Sequence, residues 1–513
     1  MFNRIGDSYT LERDWWFEAV ARLFTIGDSI SQGFRSGCTA FTQHAYSTYL
    51  ANALGIKDSS YRCITWPQEK LKFDLEAIFR LIQSRHGTSI NAVEWAKIFI
   101  DVSRFLDKAE DFYERGEGSI GKPVQSYEQD FTDNCAVEGM RVSDAWEVTP
   151  SLCAERIQQD PNGLKNNAGL AVASNPFFRA AYRVLNPTCK KKYDDYSAIK
   201  WLEHVAKSEG VDNVIIWLGA NNALGTIFDL KVKMSPGTSG TYGSRKDPKP
   251  TEYNLWHPKD FHHDYALLLD KVEAALASNK TNDWKVYVGT VPLVTIAPML
   301  EGFGDERLVD DPRLPLGQAT TKFRYSQYYK YYGVSEETAI RGDNKHMKFR
   351  DALFIDKVII NYNETIQKLV AAKNAKIGRD AFFVVDISDA LSNMAWKRNS
   401  GMPSYEFPPE LQWLYPPLNT KFYGVSPEGS ITDGGIFSLD GIHPTVIGQG
   451  IIASEFLKSF QVHGSAGAQA SIDWQRVIQD DTLRQDPIAV LHHIVEADQA
   501  IDFLVQAVSL MGK

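Results

Sequence analysis

Apolar residues gather in four short runs: "RLFTIG" (22–27), "NVIIWLG" (213–219), "KVYVGTVPLV" (285–294) and "AFFVVDIS" (381–388). Each run is continuous rather than alternating, and rich in β-branched or aromatic residues. Such runs predict strands covered on both faces, as in parallel sheets. Between them the apolar period becomes helical. "SAIKWLEHVAKSEG" (197–210) ends on Gly210, which reads as a C-cap, and "DYALLLDKVEAALASNK" (264–280) and "TVIGQGIIASEFLKSF" (445–460) follow the same rule. Strands alternating with helices predict an α/β fold with a mainly parallel sheet.

Three stretches read as additions to that frame. Residues 70–118 are mostly helical, and 300–378 combine "FRYSQYYKYYG" with a helical run ending near Lys376. Residues 396–433 are dense in Pro, Gly and aromatics and predict an irregular loop. After Phe460, "HGSAGAQAS" reads as a linker before two further helical segments. The expected organisation is therefore one α/β domain over 1–462 carrying the insertions, then a linker and helical extension over 463–513.

Composition narrows the function classes. A 513-residue chain with 43% hydrophobic residues can bury a substantial core. Its net charge of −9, without a basic stripe, argues against holding nucleic acid, because phosphate contacts need clustered Lys and Arg. Lys190–Lys192 is the densest basic spot, and the aspartates after it make it a solvated turn. Cys38, Cys63, Cys135, Cys153 and Cys189 are scattered without a C-x-x-C pair, which fits neither a disulfide framework nor a cysteine zinc site. Acidic residues occupy the N-terminal stretch where a signal peptide needs its apolar core, and no run is long enough for a membrane span. The expectation is a soluble, cytoplasmic protein, with export lacking an N-terminal signal left open.

The chemistry begins where the first strand ends. "TIGDSISQG" sets Ser29 directly after a predicted strand, the edge at which parallel sheets bind ligands. A helix cap explains the triplet equally well on its own. A serine nucleophile needs a base, and the base needs an orienting carboxylate. "SLDGIHPTVIG" supplies both, with Asp440 and His443 three residues apart ahead of a helix. Pro444 favours an extended His443 and suits a first helical turn. His262–His263 and His492–His493 lie in helical patterns without such carboxylates and read as surface or packing residues. Donors for an oxyanion have two sources: Asn221 in "WLGANNALG" and Gly139 in "NCAVEGMRVSDAW". Each segment taken singly is also an ordinary turn.

Together the four segments resemble the SGNH hydrolases, the GDSL esterase/lipase family, whose blocks occur here in family order. "GDSISQG" matches the first block and implies Ser29 as nucleophile and, through its N–H, oxyanion donor. "NCAVEG" matches the second and implies Gly139 as a donor, with Gly169 of "NNAGLAV" as its rival. "GANN" matches the third and implies Asn221, although Asn222 stands where the family usually has Asp. "DGIHP" matches the last in full and implies His443 as base with Asp440 as its partner; Asp28 is left to fix the turn. The resemblance covers about half the chain. It implies a three-layer α/β/α sandwich and a serine esterase or lipase working without metal or organic cofactor. The substrate would be an acyl ester: a lipid, an acylated sugar or a small ester. Acyl transfer to an alcohol or sugar, and an inactive member serving as a binding module, are the alternative functions. Tyr325, Tyr328, Tyr329, Tyr331 and Tyr332 are expected to be packing aromatics rather than a stacking platform or an acyl wall. The loop 396–433 is placed to cover the site.

Overall fold

The computed structural model describes residues 22–495, apart from 38, 58–59, 68–73, 91–93, 126, 161–172, 248–251, 316 and 343–344. Strand β1 (Leu23–Gly27) is buried at every position, as its unbroken apolar run requires. One residue later the chain turns into the short helix α1 (Ser29–Gln32), and α2 (Tyr46–Ala53) follows. Helix α3 (Ala198–Ser208) is capped by Ser197 and leads into β2 (Asn213–Trp217), again fully buried. Helix α4 (Pro258–Leu276) starts before its predicted position because His257 caps it and Pro258 occupies its first turn. Then come β3 (Lys285–Gly289), α5 (Phe349–Ile377), β4 (Phe382–Val385), α6 (Ile387–Met394) and α7 (Val446–Val462).

The four strands form one sheet in the order β1-β2-β3-β4, and every pairing is parallel. Helix α4 packs against α3 and α5, while α2 packs against α7, an arrangement compatible with an α/β/α fold. Beyond β1 the segment Asp133–Val137 runs alongside the sheet. Thr25 donates its N–H to the Asp133 carbonyl at 2.8 Å, and Cys135 and Val137 donate back to Thr25 and Gly27. This ladder brings residues 137–140 to the carboxyl end of β1.

Several elements differ from the sequence expectations. The run 285–294 is a strand only to Gly289, since Pro292 has no N–H to give and Val294–Ile296 turns into a 3₁₀ helix. The run 381–388 stops at Val385, where the Asp386 side chain caps α6. Gly210 is not the cap residue of α3; it lies one position further on, at φ +90°, and donates to the Val205 carbonyl. The tyrosine-rich stretch forms one arm of an antiparallel hairpin, Leu300–Asp310 against Lys322–Tyr331. Within the extension after Phe460, Trp474–Asp480 packs against α7, and Asp481 accepts the N–H of Ile447 in the first turn of α7 at 3.0 Å.

Candidate active site

The turn from β1 into α1 is held by crowding and by a cap. A Cβ on Gly27 would fall 2.1 Å from Ser31 Oγ, and one on Gly33, at φ +83°, would fall 2.4 Å from the Phe41 carbonyl oxygen. Glycine at both positions lets the chain fold this tightly. Asp28 is the N-cap of α1, its Oδ1 accepting the Ile30 N–H at 3.1 Å. The turn-fixing role expected of Asp28 is thus present in the geometry. Ser29 follows as the first helical residue, buried at the carboxyl end of the sheet.

The second component arrives from more than four hundred residues away. Gly441, at φ +64°, sits so close to Met299 that a Cβ would lie 2.7 Å from its nitrogen. The turn it permits folds Asp440 back under His443. Asp440 Oδ1 accepts the N–H groups of Ile442 and His443 at 2.8 and 2.9 Å. Asp440 Oδ2 accepts from Gly37 N–H at 2.8 Å and faces His443 Nδ1 at 2.8 Å. His443 Nε2 lies 2.9 Å from Ser29 Oγ. The Phe34 ring packs against the imidazole at a centroid distance of 5.2 Å. Asp440, His443 and Ser29 therefore form one continuous hydrogen-bonded line, buried throughout.

Electrostatics follow from this enclosure. Burial alone would lower the pKa of His443, but the adjacent Asp440 carboxylate outweighs it, and the net shift is upward. Burial works to raise Asp440, and the His443 charge and its hydrogen bonds bring it below the usual carboxylate range. Asp28 lacks a comparable partner, and burial pushes it up to about 6, against the Ile30 N–H and the His443 charge.

Asn221 lies in a 3₁₀ turn, Ala220–Asn222, just after β2. Its Nδ2 donates to the Met140 carbonyl at 3.1 Å and to Asp28 Oδ2 at 3.3 Å. Asn222 accepts the Val142 N–H through Oδ1 at 3.2 Å, a bond that a carboxylate oxygen makes equally well. Local hydrogen bonding therefore survives the Asn in place of Asp. Gly139, at φ +72°, sits next to Met140, and its carbonyl accepts from Arg245 Nη2 at 2.8 Å. Arg245 is itself fixed by Asp144, 2.9 Å from its Nε, and by the Phe177 ring beneath its guanidinium. Gly169 lies outside the described residues.

A cavity of about 60 Å³ opens beside Asp28, Ser29, Asn221 and His443 and is otherwise lined by apolar residues. Its walls come from the loop after β3, from α6, from Ile436–Phe437 and from the early part of α7. No residue of 396–433 lines it, so that loop does not cover the cavity. The tyrosines of the hairpin are elsewhere too. Tyr325 hydroxyl donates to Asp356 at 2.7 Å, and Tyr332 stacks on Phe422. They pack, as expected, but from a strand. His262 and His263 lie on α4, with His262 exposed and His263 half-buried, away from the cavity.

Sequence reasoning missed the Gly37 contact to Asp440, the bond from Asn221 to Asp28, and Arg245. All three join distant parts of the chain, and no local pattern signals them. Ser438, which accepts Ser36 N–H at 2.8 Å and donates to Asp440 at 3.3 Å, stands inside "SLDGIHP" itself, two residues before Asp440. Among the described residues, no group of three or more His, Cys, Asp or Glu is placed to hold a metal ion, and no helix is long and apolar enough to cross a membrane. No protein-family model matches the chain, and no match is found among curated proteins or solved structures.

Proposed function

We propose that the protein hydrolyses carboxylic esters through an acyl-enzyme on Ser29, in the manner of an SGNH hydrolase. The observation that carries this is the buried line from Asp440 through His443 to Ser29, with contacts of 2.8 and 2.9 Å. His443 Nε2 takes the hydroxyl proton as Ser29 Oγ attacks the ester carbonyl, and Asp440 stabilises the imidazolium that forms. The N–H groups of Ser29 and Gly139 hold the oxyanion, joined by the amide of Asn221 once its Nδ2 turns from the Met140 carbonyl or from Asp28 toward the substrate. His443 then returns the proton to the departing alcohol oxygen. Water, deprotonated by the same imidazole, attacks the acyl carbonyl and releases the acid and free Ser29.

The raised pKa of His443 moves the acid limb of activity above the usual histidine range, because the base must be neutral. Labelling by a fluorophosphonate tests the proposal. Wild-type protein is expected to label and Ser29→Ala, shown folded by circular dichroism, to stay unlabelled. Equal labelling of both proteins would move the nucleophile elsewhere.

A further inference from the structure

We infer that the ester cleaved at Ser29 carries a linear aliphatic acyl chain, which lies in the cavity between the loop after β3, α6 and α7. The inference rests on the esterase reading and adds the substrate class. The polar side chains lining this cavity, Asp28, Ser29, Asn221 and His443, all stand at its reactive end. The rest of the wall is apolar and, apart from Phe437, aliphatic, with Leu293, Leu391, Met394, Ile451 and Ile452 among its members. A sugar ring placed there would lose its hydrogen bonds to water and find no side chain to replace them, which is unfavourable for every hydroxyl. A hydrocarbon chain loses nothing and gains contact area. About 60 Å³ is several times the space one water needs, so the cavity admits a run of methylenes rather than a single small group.

The wall is built to stay in place. Lys397 Nζ donates to the carbonyls of Ala297 and Leu300 at 2.6 and 2.5 Å and so ties down the backbone at the end of that loop. Thr295 in the same loop bonds Asp356 and, at 2.7 Å, Arg398. On the opposite wall, Gly448 lets α7 approach Ile436; a Cβ there would sit 2.4 Å from the Ile436 carbonyl oxygen. The leaving alcohol has to depart and admit water, whereas the acyl group stays on Oγ throughout. An enclosed aliphatic arm therefore suits the acyl side of the ester.

The test is a chain-length series at constant leaving group, p-nitrophenyl acetate through palmitate, beside a series of alkyl acetates. With acyl length, kcat/KM should climb roughly three- to fourfold per added methylene until the cavity is filled, and then level or fall. The alkyl acetates should show no such slope. Ile451→Phe should cut the octanoate-to-acetate ratio at least tenfold, and Leu391→Ala should move the optimum to longer chains. Opposite shifts in two variants exclude a simple loss of folding. A flat acyl series, or a slope only in the alkyl acetates, overturns the inference while Ser29-dependent hydrolysis leaves the esterase reading standing. Absence of labelling at Ser29 removes that reading and the inference with it.

Discussion

Two buried carboxylates, each held by a basic partner, look alike on paper and behave differently. Arg398 and Asp356 lie 3.3 Å apart with both side chains fully enclosed. Around them Tyr325 and Thr295 bond Asp356, Tyr329 and Thr295 bond Arg398, and the Tyr325 ring lies under the guanidinium. Asp440 is just as enclosed and His443 slightly less so, and four donors converge on the carboxylate from backbone and Ser438. The difference is where the last polar atom points. In the first pair the bonds turn inward and tie the hairpin, α5 and the loop after β3 into one block. In the second, the imidazole keeps Nε2 for a serine hydroxyl at the mouth of a cavity. Burial of charge alone does not mark a reacting site; a polar atom left facing an open volume does.

Substitutions that separate the two roles sharpen this contrast. Asp440→Asn should have the largest effect, a loss of turnover on the order of 10⁴-fold, because the imidazole loses its orienting acceptor. Its unfolding free energy should fall by no more than about 2 kcal/mol, read by urea denaturation. A variant retaining a tenth of wild-type turnover would show that Asp440 only packs. Arg398→Met should invert the pattern. Leaving Asp356 charged and unpaired costs about 3–5 kcal/mol of stability, while fluorophosphonate still labels Ser29 in the folded fraction. Unchanged stability would mean that the pair contributes nothing to holding the block together.

Asp28→Asn is the subtlest. The wild-type carboxylate titrates at about 6 when folded and near 3.8 when unfolded. Below the unfolded value both states are protonated and the group is neutral in its effect. Between that value and about 6 the unfolded state ionises while the folded one holds its proton, so stability falls across this window and levels off above it, where the folded state carries a charge it disfavours. The amide should therefore stabilise the protein by about 1–3 kcal/mol at pH 8 and leave it unchanged near pH 3.5. Denaturation at the two pH values decides the matter, and a pH-independent difference would rule out the carboxylate as its source. Turnover should drop, since Asn221 loses an acceptor.

Much of the candidate site was legible because it is local. Ser29 with its glycines, and Asp440 with His443 and Pro444, each fit within a few residues, so their chemistry shows in spacing. The sheet was legible because β1 and β2 are buried on both faces and leave no alternation to misread. The tyrosine-rich arm was harder. Phe323, Tyr325 and Tyr329 are buried, but half-buried Gln327 and buried Lys330 break the alternation, and the long helical run beside them dominated the pattern. The cavity wall was invisible for a different reason: Leu391 or Ile452 facing an empty volume has the same letter as one facing its neighbours. The segment Asp133–Val137 joins the sheet edge with little of the β-branched apolar signature by which strands are recognised.

The hydrogen bonds that pin Ser36, Gly37 and Tyr46 to Ser438, Asp440 and Gln449 set a clock on biosynthesis. Ser29 leaves the ribosome first, and His443, its hydrogen-bond partner, follows 414 positions later. At about 5–20 residues per second, that interval is roughly 20–80 seconds. Throughout it the nascent chain carries an alcohol of ordinary reactivity, because the Asp440–His443 pair has yet to be translated and docked against it.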